Sequence, residues 1–195
     1  MINKPVLAIT CVFSLLLSSC AMFGESKKVT AEEKAALNKE AMSIVKKFGG
    51  TLKPQLKKAL KSGGPVKAIE VCSVKAPEIA NKLSSETGWK VKRVSLKARN
   101  SKTAIPDAWE RKVLMQFDER QAKGEKAAKI AYAEVVDGRF RFMKAQGVGG
   151  VCMNCHAEKI KAPVARALKH HYPDDKARGY SLGQIRGAFS LSKDL

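Results

Sequence analysis

The chain has 195 residues, 45% hydrophobic but only 6% aromatic, and 37 Lys and Arg against 18 Asp and Glu give a formal net charge of +19 at pH 7. That length suits one domain rather than two, with a mostly aliphatic core. The lysines are dispersed rather than gathered in blocks, which points to solvated helix faces, with attraction to anionic lipid headgroups or an acidic partner as a further consequence, and away from nucleic acid.

In chain order, Lys4 precedes an apolar stretch over residues 6–17 that ends in Leu17-Ser18-Ser19-Cys20. A basic start, a short hydrophobic run and small residues before a cleavage point make an export signal, too short for a stable membrane span of about 20 residues. Leu-Ser-Ser-Cys also fits a bacterial lipobox, in which Cys20 is acylated and becomes the mature N-terminus. The alternatives are an ordinary signal peptide, with Cys20 there by chance, or a retained anchor. The expected division is a signal over 1–19, a tether over 20–29 and one domain over 30–195. Export removes nucleic acid as a partner. Ala21, rather than aspartate, after the lipidated cysteine leans towards the outer membrane of a bacterial envelope, facing the periplasm.

Thr30-Ala31-Glu32-Glu33 reads as a capping box that opens a helix to Phe48, stopped by Gly49-Gly50. Thr51 caps a second helix ending near Gly63-Gly64. Pro65 starts a third, carrying Cys72, which Pro77 breaks or restarts before a last segment reaches Glu86. Residues 89–97 alternate Val and Leu and read as a strand. Pro106-Asp107 begins a helix with Trp109, Val113, Leu114 and Phe117 on one face. Residues 129–136, Asp137-Gly138 and residues 139–143 form the clearest hairpin. Gly147, Gly149 and Gly150 lead into a helical turn at Cys152, a helix after Pro163 carries His170 and His171, and residues 187–191 suggest a closing strand. The fold class is α+β, with N-terminal helices followed by a small antiparallel sheet.

Cys152-Met153-Asn154-Cys155-His156 is C-x-x-C-H, the acceptor for covalent c-type haem. A shuffled chain of this composition shows the pattern only about twice in a thousand. On one helical turn Cys152 and Cys155 share a face, so their sulfurs can form thioethers along one edge of a porphyrin while His156 binds iron from one side. The competing reading is a redox dithiol or half a zinc site. A second cysteine pair is absent, and His170 or His171 would complete only a loose zinc set. C-type haem is attached outside the cytoplasm in bacteria, so export and motif support each other.

With Cys11 lost with the signal, Cys20 lipidated and Cys152 and Cys155 on haem, Cys72 has no partner. It is either a buried small hydrophobe or the second axial ligand. Met42, Met115, Met143, His170 and His171 are the other candidates for that position. Arg93, Arg99 and Arg186 are candidates for pairing with haem propionates. Trp89 and Trp109 read as packing residues. No Ser/His/Asp set, phosphate loop or catalytic carboxylate pair stands out, so an enzyme is not expected.

Several blocks then resemble one family. They are Ala68-Ile69-Glu70-Val71-Cys72-Ser73, Ala76-Pro77-Glu78-Ile79-Ala80, Val91-Lys92-Arg93-Val94-Ser95-Leu96-Lys97-Ala98-Arg99-Asn100, Pro106-Asp107-Ala108-Trp109-Glu110, the C-x-x-C-H itself, and a tail with Tyr172-Pro173-Asp174-Asp175, Gly179-Tyr180, Gly183 and Arg186-Gly187-Ala188-Phe189-Ser190. Together they resemble the Tll0287-like c-type haem domain family over about residues 30–195. Ala157 and Ser101 depart from the glycine and proline expected there, and neither touches a ligand. The resemblance implies a PAS-like fold enclosing one covalently bound haem c, His156 and Cys72 as its two axial ligands, and occurrence both as free exported proteins and as sensory parts of membrane proteins.

The expected function is a lipid-anchored c-type haem protein, a one-electron redox sensor or low-potential electron carrier that works with an unidentified partner protein. An anionic sulfur on iron favours the ferric state and a low potential. The alternatives are a haem-based gas-binding module and a zinc-stabilised structural lipoprotein.

Overall fold

A computed structural model describes residues 29–195; the signal over 1–19, Cys11, Cys20 and most of the tether lie outside the described residues. Over the described residues the fold is α+β, with four helices and one four-stranded antiparallel sheet.

Helix α1 spans Ala31–Thr87 and opens on the expected capping box, with the Glu33 amide donating to Thr30 Oγ1 at 3.1 Å and the Thr30 amide donating to Glu33 Oε2 at 2.8 Å. It is broken once, at Gly63 and Gly64, where Gly64 takes a φ of +67° that suits glycine. The two arms, residues 31–62 and 65–87, fold back on each other, and Lys47 meets Glu86 at 2.8 Å across them.

Gly49-Gly50 does not end the helix, contrary to the sequence expectation. Phe48 and Leu52 flank the pair and are buried, and that burial outweighs a cost of about 1 kcal/mol for each helical glycine. Thr51 does not cap a new helix either, because its hydroxyl donates back to the Lys47 carbonyl at 2.8 Å. Pro77 likewise sits inside the second arm, held there by the burial of Ala76 and Ile79 on either side.

Strand β1, Lys90–Val94, is shorter than expected because the chain turns at Ser95. The Ser95 hydroxyl accepts from the Lys97 amide at 3.2 Å. Helix α2 covers Ala108–Ala122 behind a second capping box, Asp107 with Glu110, and buries Val113, Leu114 and Phe117 as read from the sequence. Asp137, with φ +49°, and Gly138, with φ +69°, join β2, Ala131–Val136, to β3, Arg139–Gly147. After a 3₁₀ turn at Gly150–Cys152 come the short α3, Met153–His156, and α4, Ala162–His171. Strand β4, Ile185–Asp194, is longer than expected because it pairs with β3 over nearly its whole length.

The sheet order is β1-β4-β3-β2, so the C-terminal strand lies between the first strand and the hairpin. Alternation along β3 splits the core. Phe140 and Phe142 face α1 with Trp89, Phe189 and Leu191, whereas Met143 and Ala145 face α2 with Phe117 and Ile130. Two smaller clusters flank the C-x-x-C-H turn. Ile69, Val164 and Leu168 pack beside Cys155, and Val148, Ala177 and Tyr180 pack beside Cys152. No described helix is long and apolar enough to cross a membrane.

Candidate functional site

His156 ends α3 and is buried. Its Nδ1 lies 2.8 Å from the Ala177 carbonyl, which can only accept, so Nδ1 carries the proton and Nε2 keeps its lone pair. Burial, with the nearby Arg186 and Arg99 charges, pushes the imidazole pKa down to about 2, so it is neutral at any ordinary pH. A neutral ring whose far N–H is anchored on a carbonyl is the form in which histidine binds a metal.

Arg99 builds the frame around it. Its Nε donates to Asp175 Oδ1 at 3.1 Å, its Nη2 to the Cys155 carbonyl at 2.6 Å and the Ala177 carbonyl at 3.2 Å, and its Nη1 faces His156 Nε2 at 3.3 Å. Asp175 also accepts from the Ala177 amide at 2.9 Å and Arg178 Nε at 3.1 Å. Burial pushes the Asp175 carboxyl up, but these partners outweigh it and hold the carboxyl below its usual range. The Tyr180 amide donates to the His156 carbonyl at 3.0 Å and tethers the motif from its other side.

A cavity of about 500 Å³ opens beside His156, between the second arm of α1 and β1, and Cys72, Arg93, Arg99, Tyr172 and Arg186 share its lining. Its size falls in the range of about 300–1,000 Å³ usual for sites that hold small molecules and cofactors. Burial pushes the Cys72 thiol up, while Arg93, Arg186 and Arg99 pull it back. Arg93 lies over the Phe48 ring at 5.2 Å. Burial, reinforced by Arg93 and Arg99, brings Arg186 down to about 10, which leaves it protonated at neutral pH.

Three guanidiniums therefore meet at one cavity. Only Arg99 has a carboxylate, and among the described residues Arg93 and Arg186 form no ion pair. Arg93 and Arg186 are half-buried, and charges drawn away from water are normally paired, so the cavity suits a ligand that brings negative charge. A ligand with two carboxylates supplies it. The donor set fits a haem: two thiols and a histidine on one turn, a further thiol across the cavity, and two unpaired cations.

The structure thus brings Cys72, Cys155, His156, Arg93, Arg99 and Arg186 together, with Cys152 one turn before Cys155. The other axial candidates lie elsewhere. Met143 is in the α2 core, Met42 packs against the α1 core, and Met115 is 54% exposed. His170 and His171 sit at the end of α4 and pack on each other at 5.1 Å. Among the described residues no cluster of three or more His, Cys, Asp or Glu side chains is arranged to hold a metal ion, so the zinc reading has no ligand set there. Trp89 is buried between α1 and the sheet, while Trp109 donates to Glu134 at 2.8 Å.

Sequence reasoning missed Asp175 and Tyr172 as site residues. Asp175 serves Arg99 from 76 positions away, and its only sequence signal was the Tyr-Pro-Asp-Asp block.

Among solved structures, the crystal structure of the cyanobacterial heme-protein Tll0287 is similar, with a TM-score of 0.65, 21% identity, and coverage of 85% of this chain and 96% of that one. At that identity the likeness is one of fold. No curated protein matches the chain. The model of the Tll0287-like family matches residues 25–193, nearly the whole length, and the chain therefore belongs to the Tll0287-like family.

Proposed function

We propose that this protein is an exported c-type haem protein that carries or senses single electrons. One haem c would be held by thioethers to Cys152 and Cys155, and His156 and Cys72 would bind its iron. The observation that carries this reading is the convergence on one cavity of a metal-ready His156 Nε2, the Cys72 sulfur and two unpaired guanidiniums, directly at a C-x-x-C-H turn. Likeness in fold to a cyanobacterial heme-protein supports it. So does the α+β arrangement, an antiparallel sheet with the α1 core on one side, the α2 core on the other and a cavity beside β1, and a PAS-like fold enclosing the haem is part of the same proposal.

The bound haem supplies one-electron exchange between ferric and ferrous iron. The chain's residues set the terms of that exchange. Ala177 fixes the His156 tautomer, and Arg99 with Asp175 holds the turn that presents it. Arg93 and Arg186 would hold the two propionates, whereas Arg99 is already committed to Asp175. As a thiolate, Cys72 adds negative charge at the metal and lowers the potential. With both His156 and Cys72 on the iron no position would be left for oxygen, and on this reading the protein is a carrier or sensor rather than an enzyme. Cys20 supplies a lipid anchor that keeps the protein at the bacterial envelope, facing the periplasm.

The test is spectroscopic. Ferric wild-type protein is expected to be six-coordinate and low-spin, and Cys72→Ala is expected to lose that signature while keeping its covalent haem. Identical spectra and potentials in the two proteins would remove Cys72 from the iron. Carbon monoxide uptake by the ferrous wild type would favour the gas-binding alternative.

A further inference from the structure

The two arms of α1 continue past the sheet. Their contribution to the sheet-facing core ends at Leu52 on the first arm and begins again at Ala76 on the second. Residues 53–75 therefore form a helical projection whose tip is Gly63-Gly64. From Ala41 to Ile69 the chain has seven lysines and no Asp or Glu.

Lys53, Lys57, Lys58, Lys61 and Lys67 are exposed and form no ion pair among the described residues. Some lysines elsewhere do meet a carboxylate, as in Lys47 with Glu86, Lys75 with Glu78, Lys92 with Glu110 and Lys193 with Glu40, but what sets the tip apart is a lysine run with no acidic residue between Ala41 and Ile69. On the first arm Lys53, Lys57 and Lys61 follow one another at i,i+4 spacing, where like charges oppose the helix. Pro54, Lys57, Lys58, Lys61 and Ser62 line a shallow groove along this face.

We infer that this lysine-lined tip is the docking surface for an acidic protein that exchanges electrons with the site. The inference rests on the proposed function and gives that site's partner a place and a charge. The tip is next to the site, since Gly64 precedes Cys72 by eight residues, about 12 Å along the second arm. Charge complementarity selects the partner, because a projection with five unpaired lysines and Glu70 as the one carboxylate in its stretch attracts carboxylates and speeds their encounter. A bilayer fits less well. Interfacial helices bury Trp, Phe or Leu, whereas the large apolar side chains exposed on the projection are two valines, Val66 and Val74. The tip also lies roughly 47 Å along the first arm from Ala31, the end nearest the proposed anchor.

The experiment follows electron transfer from reduced plant-type ferredoxin, an acidic one-electron donor, to the ferric holoprotein. It compares Lys57→Glu/Lys58→Glu/Lys61→Glu with a control of equal charge change at exposed positions around α2, Lys112→Glu/Lys123→Glu/Lys126→Glu. At about 10 mM ionic strength the tip variant is expected to react about tenfold more slowly than wild type, the control less than about twofold, with the difference gone near 0.5 M salt. Equal losses in both variants, or an unchanged tip variant, overturn the inference. So does a tip variant that keeps its ferredoxin rate but no longer sediments with phosphatidylglycerol vesicles that the wild type binds. A wild-type chain without haem contradicts the proposed function itself, and the inference with it, before any variant is compared.

Discussion

Asp175 does more for the site than its absence from the cavity lining suggests. Its carboxylate is 2% exposed and holds Arg99, which in turn holds the Cys155 carbonyl and faces His156. Asp175→Ala leaves a buried guanidinium unpaired and is expected to cost about 3 kcal/mol, read from denaturant unfolding. Asp175→Asn separates the charge from the packing. The folded-state pKa of Asp175 lies below the unfolded value of about 3.9, so its ionised form stabilises the fold at neutral pH. That contribution is lost as pH falls below about 4 through the folded value. The asparagine variant is therefore expected to be less stable at pH 7 but to lose less on acidification, and parallel acid limbs for the two proteins would contradict this. At Cys72, substitution by alanine is expected to raise the reduction potential by an amount on the order of 100 mV, measured by redox titration.

At the scale of elements, α1 carries the clearest lesson. Gly49-Gly50 and Gly63-Gly64 look alike in the sequence, yet only the second pair breaks the helix. The first lies where Phe48 and Leu52 must both reach the sheet, and the second lies past the end of that core, where nothing opposes a break. Two substitutions with opposite signs follow. Gly50 is helical and exposed, with open space where a Cβ would stand, so Gly50→Ala is expected to stabilise by about 0.5–1 kcal/mol. Gly64 has a positive φ, so Gly64→Ala is expected to destabilise by about 1–2 kcal/mol despite the same open space. Thermal or denaturant unfolding of the pair checks both. The Thr30 capping box, the helix start at Asp107, the Asp137-Gly138 hairpin and the C-x-x-C-H turn were legible because each is fixed by residues within a few positions. The ends of β1 and β4 were not, since they depend on which strand lies alongside.

For the whole molecule, the sheet order places β4 between strands nearly 50 residues apart in sequence, Lys90–Val94 and Arg139–Gly147, a long-range pairing that no local pattern encodes. The resulting frame brings Cys72 from α1, Arg93 from β1, His156 from α3 and Arg186 from β4 around one cavity. Each was visible in the sequence as a candidate, the cysteine through its lack of a partner, the histidine through C-x-x-C-H and the arginines as candidates for haem propionates. What the sequence did not reveal is that Arg99 is engaged by Asp175 while Arg93 and Arg186 are left without carboxylates. The account stands on covalent attachment of one haem at Cys152 and Cys155. The direct measurement is the intact mass of the denatured, exported protein beside a Cys152→Ala/Cys155→Ala variant. The wild type should weigh its processed polypeptide and lipid plus one haem, and the variant should lack the haem. A wild-type mass with no haem, or a haem retained after both cysteines are replaced, would contradict it.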